Sequence, residues 1–500
     1  MLSGLTPLRT IELQWLSLAV LGGVLASILP VSLSVFLLAM VVFVLVALIE
    51  PALAFVAMLV VAPLKTLIET ESAMMLPVDA GQALLVFALA VWAMSRIAPR
   101  QRFLGLNTIP VLWPILAFVG GALLTLPNAY AVGTGLSEWL KWVEIALLVY
   151  VVASFAEGRW QWLVFGVVLA GAIQALVGIY QFQGGSGAPH LWILDFEFFR
   201  AFGSFGQPNP FGAFMGLTLP LALGMTWGYA LAAWESRQQP LARNPLLVVA
   251  LVYTLLASVI LVGLLVSWSR GAWIGFGAAA VILLWLAPPR LWQGTLLVAS
   301  LLGIFLILWG SGLLPAQLVQ RITDFQQDFT GFRDMRGVEI SDENYAVVER
   351  LAHWQSALDM AAQRPWLGVG FGNYEAAYAD FALANWPLAL GHAHNYYLNL
   401  LAETGVVGLT LYVMMWVAII WMTSRLARAG TWVERGAALG LMGVWTHLTI
   451  HSLVDKLYVS NIFLHIGVML GVLAVLQVRA REKEARGRSW SKRTHRAQAM

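Results

Sequence analysis

A chain of 500 residues that is 60% hydrophobic and only 11% charged, with a mean hydropathy of +0.78, is a polytopic membrane protein and not a soluble enzyme built round one core. The absence of cysteine excludes disulfides, thiol catalysis and thiolate metal sites. The formal charge of +3 comes from 29 basic and 26 acidic residues, and these are strongly segregated along the chain.

No cleavable signal peptide is apparent, because apolar segments simply follow one another from Ile11 onward. Candidate spans lie near 12–29, 31–49, 51–68, 80–97, 109–126, 137–156, 160–181, 211–234, 245–267, 271–287, 291–310, 396–423, 434–453 and 457–478. Pro30 divides the first two, which read as one helical hairpin or one kinked helix. The expected fold is all-α, a transmembrane bundle of about 12–14 spans. Residues 1–310 form helices with short loops, 311–395 a small helical extracytoplasmic cap, 396–478 the C-terminal helices and 479–500 a basic cytoplasmic tail. That tail holds Arg479, Arg481, Lys483, Arg486, Arg488, Lys492, Arg493 and Arg496 against Glu482 and Glu484. It reads as a topology anchor near anionic lipid and not as a nucleic-acid site.

Alternating the spans from a cytoplasmic C-terminus puts Arg96, Arg100, Arg102, Arg159, Arg237, Arg243, Arg290, Arg425, Arg428 and Arg435 on the inner side. The outer side receives Glu69, Glu71, Asp79 and the loop 311–395, with ten acids against five basic residues. Every short basic loop therefore lands on one side, and both termini are expected in the cytoplasm. Within the loop, Glu349–Gln363 has helical apolar spacing (Leu351, Trp354, Leu358) and stops at Pro365. Gly368, Gly370 and Gly372 follow as a turn, since no strand precedes them to make a nucleotide site.

Three arginines share that outer side. Arg200 precedes a glycine- and proline-rich stretch from Ala201 to Pro210. Arg270 sits in the turn Ser267–Gly271, and Arg350 begins the cap helix with Trp354 four residues on. A guanidinium is permanently charged and presents a planar fork of donors suited to a phosphate or diphosphate. At a membrane boundary such a charge marks function more often than interfacial snorkelling does. Lys65 and the Glu138, Lys141, Glu144 set lie inside spans and read as ion pairs facing the bundle interior, with ion or proton transport the alternative. His447, His451 and Asp455 share one helical face and read as a structural cluster; no metal is expected. Glu69-Thr70-Glu71 faintly echoes an acidic metal motif but is too short to carry one.

The polar centre of the chain is His394-Asn395, nine residues, Gly405, two residues, Gly408. On an ideal helix both glycines fall within roughly 40° of the His394 direction, predicting a close helix approach beneath the imidazole. Asn395, Asn399 and Glu403 form a second stripe. A neutral imidazole near pH 7 is suited to take a proton from a sugar hydroxyl, and His392 is a weaker candidate that helps hold the loop.

These residues resemble the O-antigen ligases and polymerases, polytopic glycosyltransferases of the C type. The family pattern is His, Asn/Ser/Gln, nine residues, Gly, two residues, Gly/Thr/Tyr, which His394, Asn395, Gly405 and Gly408 meet. Ser269–Trp273 resembles the family's Arg-x3-Leu motif, with Ile274 in place of leucine. Arg350-x3-Trp354 with Pro365, Gly368, Gly370 and Gly372, and the segment Gly203–Asn209, resemble two further stretches. The likeness covers roughly the last 300 residues. It implies transfer of a glycan from an undecaprenyl-diphosphate carrier to an acceptor hydroxyl, at the periplasmic face of the bacterial inner membrane, without metal or cofactor and with inversion. It implies that Arg200, Arg270 and Arg350, with Asn395 and Trp354, bind the diphosphate donor, that Arg270 also stabilises the developing charge, and that His394 acts as base. The acceptor is lipid A-core (or sometimes a protein) for a ligase and a carrier-linked repeat for a polymerase. A bicarbonate-type transporter is the rival class.

Overall fold

The computed structural model describes residues 30–71, 79–97, 103–185, 191–193, 197–316, 319, 323, 334–341 and 344–498. Among these, every stretch read as a span forms a helix; the stretch 12–29 lies outside the described residues. In chain order the helices are α1 (Val31–Ile49), α2 (Pro51–Val61), α3 (Lys65–Glu71), α4 (Ala80–Ile97), α5 (Leu112–Leu123), α6 (Val132–Phe155), α7 (Trp160–Phe182) and α8 (Pro208–Glu235). They continue as α9 (Pro240–Val266), α10 (Arg270–Leu286), α11 (Leu291–Gly310), α12 (Tyr345–Gln363), α13 (Tyr374–Ala377), α14 (Tyr396–Leu426), α15 (Trp432–His451) and α16 (Ile462–Gln498). Strand is confined, among the described residues, to the antiparallel pair Trp192–Ile193 and Phe198–Phe199. Among the described residues, eight helical stretches are long and apolar enough to cross a bilayer, and α1, α5 and α10 contribute three shorter apolar ones. The chain is an all-α, multi-pass membrane protein.

Helix α16 lies at the heart of the bundle, with 89% of its apolar window buried, packed chiefly on α6. Helix α8 is sandwiched between α9 and α15. There the backbones touch: a Cβ on Gly224 would fall 2.4 Å from the carbonyl oxygen of Gly436. In lipid, where apolar surface gains little by leaving the solvent, such van der Waals contact between small residues holds helices together. Helix α11 is the opposite case, with only 6% of its window buried.

The two ends of the bundle differ in chemistry. At one, Arg159 pairs with Glu50, while Glu434 receives Arg479 at 2.9 Å and Lys483 at 2.7 Å. At the other, the segments 197–207, 267–270, 334–341, 344–395 and 452–461 gather. Of the Glu138, Lys141 and Glu144 set, read as intrahelical ion pairs, Glu138 and Lys141 form such a pair, while Glu144 has a neutral hydrogen-bond partner. Glu138 takes Lys141 of its own helix at 2.6 Å and Lys456, far along the chain, at 3.0 Å, while Glu144 accepts from Gln82. Lys65 pairs with Asp79 at 3.5 Å. Glu69-Thr70-Glu71 closes α3; its side chains lie outside the described ones.

Helix α12 starts slightly earlier than its apolar spacing predicts and ends at Gln363, before Pro365. Its buried Met360 joins Val369, Tyr374, Tyr378, Ala393 and Ala402 in a small core separate from that of the bundle. The helix predicted from 457 begins only at Ile462, because Ser460 and Asn461 adopt left-handed backbone (φ 45° and 62°). Asn461 is held there by donating to the Ala62 carbonyl and to Asp79.

The largest departure from the sequence reading concerns the motif glycines. Gly405 and Gly408 do not line an unbroken helix. Gly405 has φ 63° and ψ −167°, a non-helical break within α14. The amides beyond the break turn to another segment, Val406 to the Pro365 carbonyl at 2.8 Å and Val407 to that of Trp366 at 3.3 Å. The carbonyls before it, of Ala402 and Glu403, accept from Val369 and Gly370, both at 2.9 Å. Gly408 makes room for Thr404 of its own helix and not for a neighbouring helix. Gly405→Ala should therefore be severely destabilising, since a Cβ would sit 2.3 Å from the Trp366 carbonyl on backbone that L residues avoid. Strain of that kind costs on the order of 1–3 kcal/mol before the clash is counted. Thermal unfolding in detergent should show a clear fall in midpoint.

Candidate active site

The gathered segments enclose a cavity of about 650 Å³, lined among others by Arg200, Asn209, Ser269, Arg270, Arg350, Trp354, Asn395, His451 and Asp455. Each predicted cation arrives from a different part of the fold. Arg200 follows the short hairpin, where its amide donates to the Leu191 carbonyl. Its guanidinium donates to the Ser267 carbonyl at 3.4 Å and to Oδ1 of Asn209 at 3.3 Å, and the Ser269 hydroxyl lies 3.2 Å from that oxygen. The glycine- and proline-rich segment is thus clamped to the turn that carries Arg270. Ser269, with extended backbone, caps α10, so that Arg270 is its first residue, at the helix's positive end. Arg350 and Trp354, one turn apart on α12, close the cavity from the cap.

Asn395 has two tasks. Its backbone is extended and its Oδ1 accepts from the amides of Tyr397 (3.0 Å) and Leu398 (3.1 Å), an N-cap for α14. The stripe read as Asn395, Asn399 and Glu403 also has tasks in the backbone. Asn399 accepts from the amide of Ala393, and Glu403 from that of Tyr374.

His394 is not on the cavity wall itself. It sits one layer behind, half-buried, next to Asn395 and Asp455, with φ 51°, a left-handed conformation uncommon outside glycine. Neither ring nitrogen hydrogen-bonds to another described residue. Its ring centroid is 4.5 Å from that of His392 and 5.9 Å from that of His353. Burial, then His392, Arg350 and His353, push the His394 imidazole down to about 2, so it is neutral at physiological pH. Burial, with Lys456 among its neighbours, takes His392 down to about 3. Burial lifts the Asp455 carboxyl to about 6 against the Lys456 amide and Arg350. Burial also lowers Arg350, while Asp455 opposes the effect.

The cluster read as His447, His451 and Asp455 is divided. Helix α15 ends at His451, and Asp455 lies beyond it in a loop, so the three do not share a helical face. His447 and His451 face each other at 3.3 Å, and of the two only His451 lines the cavity. Asp455 instead joins His392 and His394, one donor atom from each lying within 4.8 Å of the others. Two imidazoles and a carboxylate match a transition-metal donor set in kind. The protons argue against it. Nδ1 of His392 accepts the His394 amide at 3.0 Å, so in the neutral ring Nε2 carries the hydrogen and faces Oδ1 of Asp455 at 3.6 Å. A ligand nitrogen needs that lone pair. Sequence reasoning singled out Asp455 but grouped it with the wrong histidines, and it named Asn209 only as the end of the Gly203–Asn209 segment without placing it at the site.

Residues 254–413 match the family model described as O-antigen ligase. The resemblance read from the sequence thus extends to this family model over about a third of the chain. Arg270, Arg350, Trp354, His394, Asn395, Gly405 and Gly408 fall inside the matched region, and Arg200 precedes it. The chain is also similar to a protein named general O-oligosaccharyltransferase from Acinetobacter baylyi (strain ATCC 33305 / BD413 / ADP1), 26% identical over 286 residues. That alignment takes in 55% of this chain and 44% of the relative, so the chain spans less than half the length of the curated relative it matches.

Three imidazoles held neutral have a consequence for acid stability. His353, taken down to about 4 by burial, behaves like His392 and His394. Below their ordinary value of 6.5 the unfolded chain binds protons that the folded one refuses, so stability present above pH 6.5 is lost as pH falls. Asp455 acts oppositely between about 4 and 6, but as one group against three. The thermal midpoint should therefore drop between pH 7 and pH 5, and His353→Gln should make the drop shallower.

Proposed function

We propose that the protein is a membrane glycosyltransferase of ligase type, moving a glycan from an undecaprenyl-diphosphate carrier to an acceptor hydroxyl on the periplasmic face of the bacterial inner membrane. The observation that carries this reading is the convergence of Arg200, Arg270 and Arg350, from three separate segments, on one cavity beside His394. Three guanidiniums on one wall present planar forks of donors, and a diphosphate offers two phosphoryl groups to such forks. The apolar part of the wall, including Ile274, Leu453 and Val454, suits the first isoprene units. The ligase name of the matched family, and the oligosaccharyl transfer in the relative's name, favour en bloc transfer over polymerisation.

In this reading the acceptor oxygen attacks the anomeric carbon on the face opposite the diphosphate. The glycosidic bond to the carrier breaks, undecaprenyl diphosphate leaves with the electron pair, and the acceptor proton passes to His394. Arg270, with Arg200 and Arg350, stabilises the charge that develops on the leaving group. The outer segment 344–395, with Trp354 on the wall, covers the glycan as an extracytoplasmic cap. A buried imidazole beside arginines is a weak base in the free enzyme. A bound diphosphate offsets those positive charges, so donor binding itself strengthens the base.

The test is transfer by purified protein from a synthetic undecaprenyl-diphosphate glycan, with lipid A-core, a serine-containing peptide or the carrier-linked repeat as acceptor. His394→Ala should lower the rate by about 10²–10⁴-fold, the usual worth of general-base catalysis. Arg270→Ala should lower it by about 10²–10³-fold, the usual worth of one electrostatic donor. Product on lipid A-core or peptide fits a ligase, and a ladder of carrier-linked chains a polymerase. Full transfer by both variants would sink the assignment.

A further inference from the structure

His392 does not itself line the cavity, yet it is bonded to the segment that bears the base. Its Nδ1 accepts the backbone amide of His394, two residues on, at 3.0 Å. That amide belongs to the residue with φ 51°, which on this chain is histidine and not glycine. An imidazole accepts at Nδ1 only when its hydrogen is on Nε2, and Nε2 faces Oδ1 of Asp455 at 3.6 Å. The same Oδ1 accepts the amide of Lys456 at 2.8 Å, and the Lys456 ammonium is held by Glu138 of α6 at 3.0 Å. A chain of polar contacts therefore runs from a helix in the first third of the sequence to the backbone of the base.

We infer that His392 is a positioning residue, whose ring fixes the left-handed turn at His394 and so aims that imidazole at the acceptor. Losing the Nδ1 acceptor leaves the His394 amide without a partner in a half-buried site and removes what holds the turn against its intrinsic preference for other backbone. The turn then relaxes, and the imidazole moves relative to a donor still bound by the three arginines. His392 thus serves the rate and not donor affinity. This rests on the proposed role of His394 only for its catalytic consequence; the backbone claim stands apart from it.

The experiment compares His392→Asn with His392→Leu. The Oδ1 of asparagine occupies the place of Nδ1 and accepts the same amide, whereas leucine fills similar space with no acceptor. Hydrogen exchange of the 391–398 segment in the full chain in detergent reads the backbone directly, whatever the activity. The His394 amide should be protected in wild type and His392→Asn and exchange at least tenfold faster in His392→Leu. With the donor and acceptor above, kcat should fall about 10²-fold in His392→Leu, as for misplacement by about 1 Å. KM for the donor should stay within twofold, and His392→Asn should recover most of kcat. Equal exchange in all three proteins, or a loss not rescued by asparagine, would overturn the inference. So would a rate that EDTA abolishes and Zn²⁺ restores, which would make His392 a metal ligand. Wild-type protein inactive towards every acceptor would count against the proposed transfer, and the exchange comparison would still decide the role of His392.

Discussion

The architecture around the site depends on one backbone exchange. A helix at a membrane boundary cannot leave its amides and carbonyls unpaired, because no bulk water is there to receive them. Helix α14 nevertheless breaks at Gly405. It does so without penalty in hydrogen bonds, because Pro365, Trp366, Val369 and Gly370 supply the missing partners. The positive-φ glycines 368, 370 and 372 let that segment fold back tightly enough to reach the break. The exchange joins the end of α12 to the middle of α14, and thereby sets Arg350 and Trp354 at a fixed position over the helix mouth where His394 and Asn395 stand.

The second organising feature is the division of labour between charge and neutrality. Cations line the cavity, while the layer behind holds imidazoles that burial keeps uncharged. A protonated His394 near Arg350 would meet like charge and could accept nothing. Neutrality leaves its lone pair available. The buried Glu138–Lys456 pair serves the same site from below, since Lys456 is the neighbour of Asp455.

Much of this was legible in the chain. The helices follow from apolar runs, whose length and composition are set by the bilayer and owe little to tertiary context. The three arginines and Trp354 could be placed on one side because charge segregation records topology. Distances through space were not legible. Nothing in the spacing of Asp455 from His451 reveals that α15 stops between them, and nothing local ties Lys456 to Glu138, more than 300 residues earlier. The glycines misled for a related reason. A helical wheel assumes an unbroken helix, and Gly405 is glycine because the helix breaks there.

That break gives the motif spacing a metrical meaning. Asn395 marks where α14 is capped and Gly405 where it is interrupted. Ten residues at about 1.5 Å each set the interruption roughly 15 Å below the cap. The nine intervening residues act as a ruler, and most of their side chains are free to vary so long as their number is not. One residue more or less would swing the interruption about 100° around the axis, away from the strip of chain that pairs with it. A deletion far from the imidazole would then disturb the segment that holds it.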